Sequence, residues 1–187
     1  MAYTSRHLPH WQPEGLPLFL TWSLHGAIPR NRFPPAKHTA AGKAFVFMDH
    51  FLDCAKEGPR WMAQPEIAKL IEDSIRFCCE SQHYYDLHNY VVMPNHVHML
   101  VTPQVSAPRF MQALKGFTAR EANKLLNRPG ERFWHAESYD HWVRGDEQFR
   151  KIARYIEQNP VEAGLVRSPE DYRYSSAHAG WKAGMAG

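Results

Sequence analysis

His96 and His98 are the two residues of this chain whose type and spacing point most directly to chemistry. They lie in the run His96–Val101 (HVHMLV), whose composition predicts a β-strand. Alternate residues of a strand project to the same face, so both imidazoles would lie close enough to bind one divalent ion while Val97 points into the core. In a chain with 12 histidines, two polar side chains on a solvated strand face are the alternative interpretation of this pair.

A second group, Lys151, Tyr155 and Asn159, is spaced by four residues and would therefore stack along one side of a helix. A free phenol has a pKa of about 10, so Tyr155 would act as a nucleophile only if a nearby cation or metal-bound phosphate helped it to ionise. The side-chain carbonyl of Asn159 could bind the same metal as an oxygen ligand. The competing interpretation is structural, because a tyrosine at the border of a helix's buried face usually lies half inside the core.

Basic residues cluster in the segment 109–128, which holds five positive charges against a single acidic residue, Glu121. The five are Arg109, Lys115, Arg120, Lys124 and Arg128. Phosphate groups of a nucleic acid would suit such a surface, although an ordinary amphipathic helix with a solvated charged face has the same composition. Three aromatic residues downstream could stack unpaired bases or lie in the core: Trp134, Tyr139 and Trp142.

Strands are the first of the elements that must position these residues. β-Forming residues predict strands at Leu16–His25, Leu87–Met93 and His96–Val101. The turn pair Pro94-Asn95 joins the last two into a hairpin. The segment Phe133–Val143 is predicted as strand and loop.

Three helices are predicted between and after these strands. The first runs from Pro65 to about Gln82, with apolar residues at spacings of three and four. The second follows Ser106, a predicted N-cap, and ends at Asn127–Gly130. Its predicted apolar stripe consists of Phe110, Leu114, Phe117 and Leu125. Asp146 is predicted to cap the third helix, which runs to about Gln158 and is ended by Pro160.

The resulting order predicts an α+β fold with the split βαβ pattern of a ferredoxin-like antiparallel sheet. Helices would cover one face of that sheet, and an extra C-terminal helix would carry Tyr155. We expect residues 1–15 to form a leader, residues 16–176 a single domain and residues 177–187 a tail. The segment Ala44–Asp53 is apolar on too many sides for an element to be assigned.

Composition supports one globular domain and excludes several classes of protein. The 187 residues are 44% hydrophobic and 22% charged, close to the averages of globular domains. Three cysteines do not suit a disulfide framework, and the longest apolar stretch, Leu16–Ile28, is too short to span a bilayer. We therefore expect a soluble protein of a reducing compartment with no membrane partner. The net charge of +3 is too small to identify nucleic acid as the partner by itself.

Five motifs in a fixed order carry a family resemblance: TWSLHG, YVVMPNHVHMLV, LKGFTAREANKLL, FWHAESYDHWVR and YIEQNPVEAGLV. With them the chain resembles the REP-associated tyrosine transposases, which are single-tyrosine HUH proteins of the type found in small bacterial insertion sequences. The resemblance runs from about Leu16 to Ser176. MPNHVH followed by YIEQNPVEAGLV is far more specific than two alternating histidines.

The resemblance implies a role for each matching residue. His96, His98 and Asn159 correspond to the metal ligands of the family, and Tyr155 corresponds to its nucleophile. The implied reaction is Mg²⁺- or Mn²⁺-dependent cleavage and rejoining of single-stranded DNA at hairpins, through a 5′-phosphotyrosine. Such a protein would act in the bacterial cytoplasm, near the nucleoid, and as a monomer rather than a dimer. The positions expected to contact DNA are those of the basic segment together with Arg144 and Lys151.

Two other functions fit the same residues. The chain could be a hairpin-binding protein that keeps the fold without productive strand transfer. It could also be a metal-dependent phosphohydrolase in which the two histidines and an acid such as Asp140 activate water, with Tyr155 structural. The leader and the segment Ala36–Arg60 match the family weakly and suggest no function.

Overall fold

A computed structural model describes residues 15–28, residue 52 and residues 58–178 of the chain. The described elements follow one another as β1 (Leu18–Leu24), α1 (Pro65–Glu80), β2 (Tyr85–Val92), β3 (His96–Pro103), α2 (Ala107–Leu125), β4 (Trp134–Trp142) and α3 (Asp146–Glu162). A short 3-10 helix at Trp61–Ala63 precedes α1, and a second at Pro169–Asp171 follows α3. The predicted leader, the predicted tail and the segment Ala44–Asp53 lie almost entirely outside the described residues.

The four strands form one antiparallel sheet in the order β2-β3-β1-β4. This order inserts β3 between β1 and β2, which is the split βαβ arrangement of the predicted ferredoxin-like α+β fold. The fold prediction is therefore confirmed. No helix among the residues that the structure describes is long and apolar enough to cross a bilayer.

Both faces of the sheet are covered, and β1 is buried along its whole length. On one face, Leu18, Leu20 and Trp22 pack in a core with residues of α1 and α2, and we call this the two-helix face. On the other face, Phe19 and Leu100 pack with Ile156 of α3, and we call this the α3 face. The alternation of β1 thus divides its side chains between two separate cores.

The helix predictions need correction at three points. The sequence predicts Phe117 and Leu125 on the buried stripe of α2, but they are 45% and 55% exposed. The buried stripe of α2 runs through Leu114, Thr118 and Ala122, and Phe117 lies about 100° around the helix from Thr118. Leu125 is the last residue of the helix. Gly145, not Asp146, is the N-cap of α3, with a φ of 79° that few other residues adopt readily. Pro160 lies inside α3, which continues to Glu162.

Helix α3 continues past Pro160 because the proline lies in its last turn. A proline lacks one backbone N–H and so removes one intrahelical hydrogen bond. Here the next turn is still closed, since the N–H of Ala163 donates to the carbonyl of Asn159 at 2.9 Å. Ser106 does occupy the N-cap position of α2, but its side chain forms no capping hydrogen bond.

Candidate active site

His96 and His98 lie on the α3 face of β3 and are completely buried. Val97 and Met99 alternate with them and pack into the core of the two-helix face. The Nε2 atoms of the two imidazoles are 3.0 Å apart. The alternation predicted from HVHMLV is confirmed, whereas the interpretation of the pair as solvated polar residues is wrong.

Two neighbouring side chains hold the other nitrogens of these rings. The Oδ1 atom of Asn95 lies 2.7 Å from Nδ1 of His96, and Oγ1 of Thr21 lies 2.7 Å from Nδ1 of His98. Asn95 is itself held, because its Nδ2 donates to the carbonyl of Leu52 at 2.8 Å. The Nε2 atoms of both histidines are thereby turned toward each other.

The sequence indicates Asn95 only as a turn residue and indicates no functional role for Thr21. Asn95 immediately precedes His96, so its place beside the histidine is a local signal that could have been noticed. Thr21 could not be found in this way. It stands opposite His98 because β1 pairs with β3 in a register that only the folded sheet defines.

The donor set fits a divalent cation. Neighbouring octahedral ligands about 2.1 Å from an ion lie about 3 Å apart, and the two Nε2 atoms show that separation. Two nitrogen lone pairs cannot face each other so closely unless a proton or a cation lies between them. The described residues contain no group of three or more His, Cys, Asp or Glu side chains suited to a metal. A third ligand from this part of the chain would therefore be of another type, such as an amide.

Tyr155 reaches the histidine pair from α3, which packs across β2 and β3. Its ring centroid is 5.4 Å from that of His98, with the planes at 63°. Phe19 lies against both rings: its centroid is 5.7 Å from His98 and 6.2 Å from Tyr155. Asn159, one helical turn beyond Tyr155, is completely buried. The helix spacing thus brings Tyr155 and Asn159 to the buried side of α3.

Lys151 shares the same spacing of four but has a different environment. Its side chain is 74% exposed and forms an ion pair with Glu147 at 2.6 Å. It lies one turn before Tyr155, outside the buried cluster of rings. The three residues predicted to stack together are therefore two buried or half-buried residues and one solvated lysine.

Most other tyrosines of the described chain have hydroxyls engaged away from the histidines. Tyr85 donates to the carbonyl of Ile75, and Tyr90 donates to Glu72. Burial raises the pKa of both phenols, and the same holds for Tyr172. A raised pKa disfavours the phenolate that a nucleophilic tyrosine needs. Position and chemistry therefore both disfavour these residues as nucleophiles.

Tyr139 is the other tyrosine on the α3 face near the histidines. It stands opposite Thr21 on β4, and its ring meets the edge of Phe19 at a centroid distance of 6.3 Å. Burial, together with the neighbouring charge of Asp140, raises its pKa. Tyr139 thus meets Phe19, and Tyr155 meets His98 at a centroid distance of 5.4 Å.

The basic segment lies on the other side of the sheet, because α2 packs on the two-helix face. Lys115 is half-buried and donates to the carbonyl of His135 at 2.8 Å, so it helps to hold the start of β4. Arg120 and Lys124 both pair with Glu121. The remaining members contact aromatic rings, Arg109 lying over Tyr84 and Arg128 over Trp61. None of the five is in the core that contains Tyr155.

Arg144 and the aromatic candidates occupy different environments. Arg144 is exposed in the short connection between β4 and α3. Trp134 is buried and donates to Oγ1 of Thr118 at 2.9 Å, so it belongs to the core. Trp142 is partly buried against that same core. Tyr139 is the aromatic candidate that faces the histidine pair.

Asp140 lies on the wrong face of the sheet to assist the histidines. It is paired with Leu20, whose side chain belongs to the two-helix face. Directly paired residues of antiparallel strands project to the same face. The carboxylate and the two imidazoles are therefore separated by the sheet.

The chain is similar to proteins of one family. The family model described as "Transposase IS200 like" matches residues 44–159, more than half of the chain and a range that includes both histidines, Tyr155 and Asn159. A curated relative from Escherichia coli (strain K12), named REP-associated tyrosine transposase, is 30% identical over 98 residues, which are 50% of this chain and 55% of that protein. The chain therefore spans about half the length of the curated relative that it matches.

The fold is also similar to that of a solved structure. This is the structure of a REP-associated tyrosine transposase bound to a REP hairpin, which matches with a TM-score of 0.59 at 17% identity. The match covers 92% of this chain and 82% of the other. At this level of identity the likeness shows the shared fold.

Proposed function

This chain belongs to the IS200-like transposase family, and we propose that it is a metal-dependent endonuclease and strand transferase acting on single-stranded DNA at hairpins. The observation that carries this proposal is the cluster around His98. Its Nε2 atom faces that of His96 at 3.0 Å, and its ring contacts the ring of Tyr155 at 5.4 Å. Two imidazoles and a phenol thus meet in one place.

His96 and His98 would hold the cation through Nε2, and Asn159 would supply an amide oxygen. When bound, a divalent ion such as Mg²⁺ or Mn²⁺ would act as a Lewis acid that polarises the scissile phosphate and favours the phenolate. Nitrogen and oxygen donors without a thiolate suit such an exchangeable ion better than structural zinc.

Tyr155 would perform the covalent step. Its phenolate oxygen attacks the phosphorus, the bond from phosphorus to the 3′-oxygen breaks, and that oxygen takes a proton to become a 3′-hydroxyl. The 5′-phosphate is then linked to Tyr155. A second 3′-hydroxyl can attack this linkage and restore a phosphodiester, so that strands are exchanged without ATP. Because Tyr155 lies on a helix packed against the sheet, its phenol can approach a bound phosphate only from a restricted range of directions.

The substrate is proposed to be hairpin DNA with an adjacent single strand. The solved relative of similar fold is bound to a REP hairpin, and the basic residues of the segment 109–128, with Arg144 and Lys151, would contact phosphates. The protein would act as a monomer in the bacterial cytoplasm, near the nucleoid. The described part of the chain would serve as its catalytic domain.

The test is formation of a covalent protein–DNA adduct. Labelled hairpin DNA with single-stranded flanks is incubated with the protein and Mn²⁺, and the products are separated on a denaturing gel. Wild type should form an adduct and Tyr155→Phe should form none. Tyr139→Phe is the matched control, because it removes a hydroxyl on the same face of the sheet and should leave the adduct intact.

The two alternatives predict other outcomes. Tight hairpin binding without an adduct from any tested DNA would favour a binding protein. Release of a plain 5′-phosphate by both wild type and Tyr155→Phe would favour a phosphohydrolase. The position of Asp140 on the two-helix face argues against the latter, since it removes the proposed acid from the histidines.

A further inference from the structure

We propose that Asn95 and Thr21 are positioning residues: Asn95 holds His96 in the tautomer able to bind a cation through Nε2, and Thr21 orients the ring of His98 and accepts its Nδ1 proton when a cation is bound. This inference rests on the proposed metal site. A neutral imidazole carries one proton, and the nitrogen without it is the one that can bind a metal. The partner of Nδ1 therefore decides whether Nε2 can act as a ligand.

Asn95 determines the tautomer of His96 through a chain of two hydrogen bonds. The backbone carbonyl of Leu52 can only accept, so the group of Asn95 that lies 2.8 Å from it must be the amide nitrogen. That orientation turns Oδ1 toward Nδ1 of His96 at 2.7 Å. Because an amide oxygen can only accept, Nδ1 must carry the proton, and Nε2 carries the lone pair.

Thr21 acts on His98 from a different strand. Its Oγ1 lies 2.7 Å from Nδ1 of His98, and a hydroxyl can either donate or accept. It can therefore accept from a protonated Nδ1 when Nε2 of His98 is needed as a ligand. The two rings are thus held from two sides, by the turn before β3 and by the paired strand β1.

Asn95 and Thr21 are both buried, so water cannot easily replace their hydrogen bonds to the histidine rings. Thr21 is 6% exposed and Asn95 is 4% exposed. A buried hydrogen bond is poorly replaced by water when one partner is removed. Removal of either polar group should therefore change the protonation pattern of the ring that it contacts.

The first measurement is the tautomer of each ring in the full chain without added metal. Long-range ¹H–¹⁵N spectra of the histidine side chains distinguish a protonated Nδ1 from a protonated Nε2. His96 should show a protonated Nδ1 in wild type, where the amide oxygen of Asn95 accepts from it. It should lose that signature in Asn95→Leu, and a thermal melt of each variant establishes that it is folded.

The second measurement is Mn²⁺ affinity, followed by electron paramagnetic resonance on the protein without DNA. Loss of a hydrogen-bond partner of a ligating histidine typically costs about 10- to 100-fold in metal affinity, and we expect a loss in this range for Thr21→Val. Valine has nearly the shape of threonine and suits a strand, so the fold should be kept. Thr21→Ser restores the hydroxyl and should bind Mn²⁺ like wild type.

Two results would overturn the inference. One is a protonated Nδ1 on His96 in folded Asn95→Leu. The other is wild-type Mn²⁺ affinity in Thr21→Val under conditions where His98→Ala has lost it. If His98→Ala also binds Mn²⁺ like wild type, the metal site of the proposed function fails instead, and the tautomer spectra still decide whether Asn95 sets the proton position of His96.

Discussion

The ring of His98 on β3 lies against the ring of Tyr155 on α3, with their centroids 5.4 Å apart and their planes at 63°. The two residues are 57 positions apart in the chain. They meet because α3 covers the face of the sheet that α1 and α2 leave open. Phe19 of β1 contacts both rings and completes the cluster.

Phe19→Leu should slow adduct formation about tenfold or more, because small displacements of reacting groups are costly. Phe19 packs against both His98 and Tyr155, and leucine would leave each ring less restrained. The measurement is the single-turnover rate of adduct formation with saturating hairpin DNA.

Phe110→Leu provides the control for lost packing. Phe110 is equally buried, but it lies on the two-helix face against Tyr85. Both substitutions should lower the free energy of unfolding by roughly 1–2 kcal/mol, yet only Phe19→Leu should slow the reaction. Equal slowing by the two would show that general stability, and not alignment, is responsible.

Asn159→Leu should weaken Mn²⁺ binding, whereas Asn159→Asp should retain it. Asn159 is completely buried one turn beyond Tyr155, and aspartate keeps an oxygen in nearly the same volume. Titration of the two folded variants with Mn²⁺ distinguishes a ligand from a packing residue. Equal affinities in Asn159→Leu and wild type would contradict the assignment.

Lys151→Gln should weaken binding of single-stranded DNA without affecting the fold. A lysine that contacts one phosphate of a single strand contributes about 0.7 to the slope of log affinity against log salt, so the magnitude of the slope should fall by about 0.7. Lys69→Gln is the matched control. Lys69 is also exposed and paired with an acid four residues away, but it lies on α1. A change of slope in both variants would indicate a diffuse charge effect.

Acidification should destabilise the fold through His88. Its Nε2 lies 2.8 Å from Oγ1 of Thr102, and its ring meets Phe149 of α3 at 5.1 Å. Burial lowers the pKa of His88 below its ordinary value, while Asp86 partly opposes this. The unfolded chain therefore takes up the proton first as the pH falls, and the free energy of unfolding decreases below about pH 6.5.

Urea unfolding at two pH values, about 5.5 and 7.5, tests this linkage. His88→Gln should lose less stability on acidification than wild type. Asp86→Asn should lose more, because the charge that supports the protonated imidazole is gone. Identical pH dependence in His88→Gln and wild type would contradict the expected contribution.

Much of the fold was predictable because its signals are local. Alternation in HVHMLV assigned His96 and His98 to one face, and the order of strands and helices predicted the ferredoxin-like sheet. Spacing by four in α3 likewise predicted that Tyr155 and Asn159 share a side of the helix. The alternation and the helical spacing depend on backbone geometry within a few residues, which the sequence by itself determines.

Tertiary packing decided the rest. Thr21 lies beside His98 across 77 positions of chain, through a strand register that no local pattern encodes. The same holds for the exposure of Phe117 and Leu125 and for the placement of the basic helix on the two-helix face. The sequence determined which side chains share a face of each element; only the packing of α3 on the sheet decided which faces meet, because that choice depends on contacts between residues far apart in the chain.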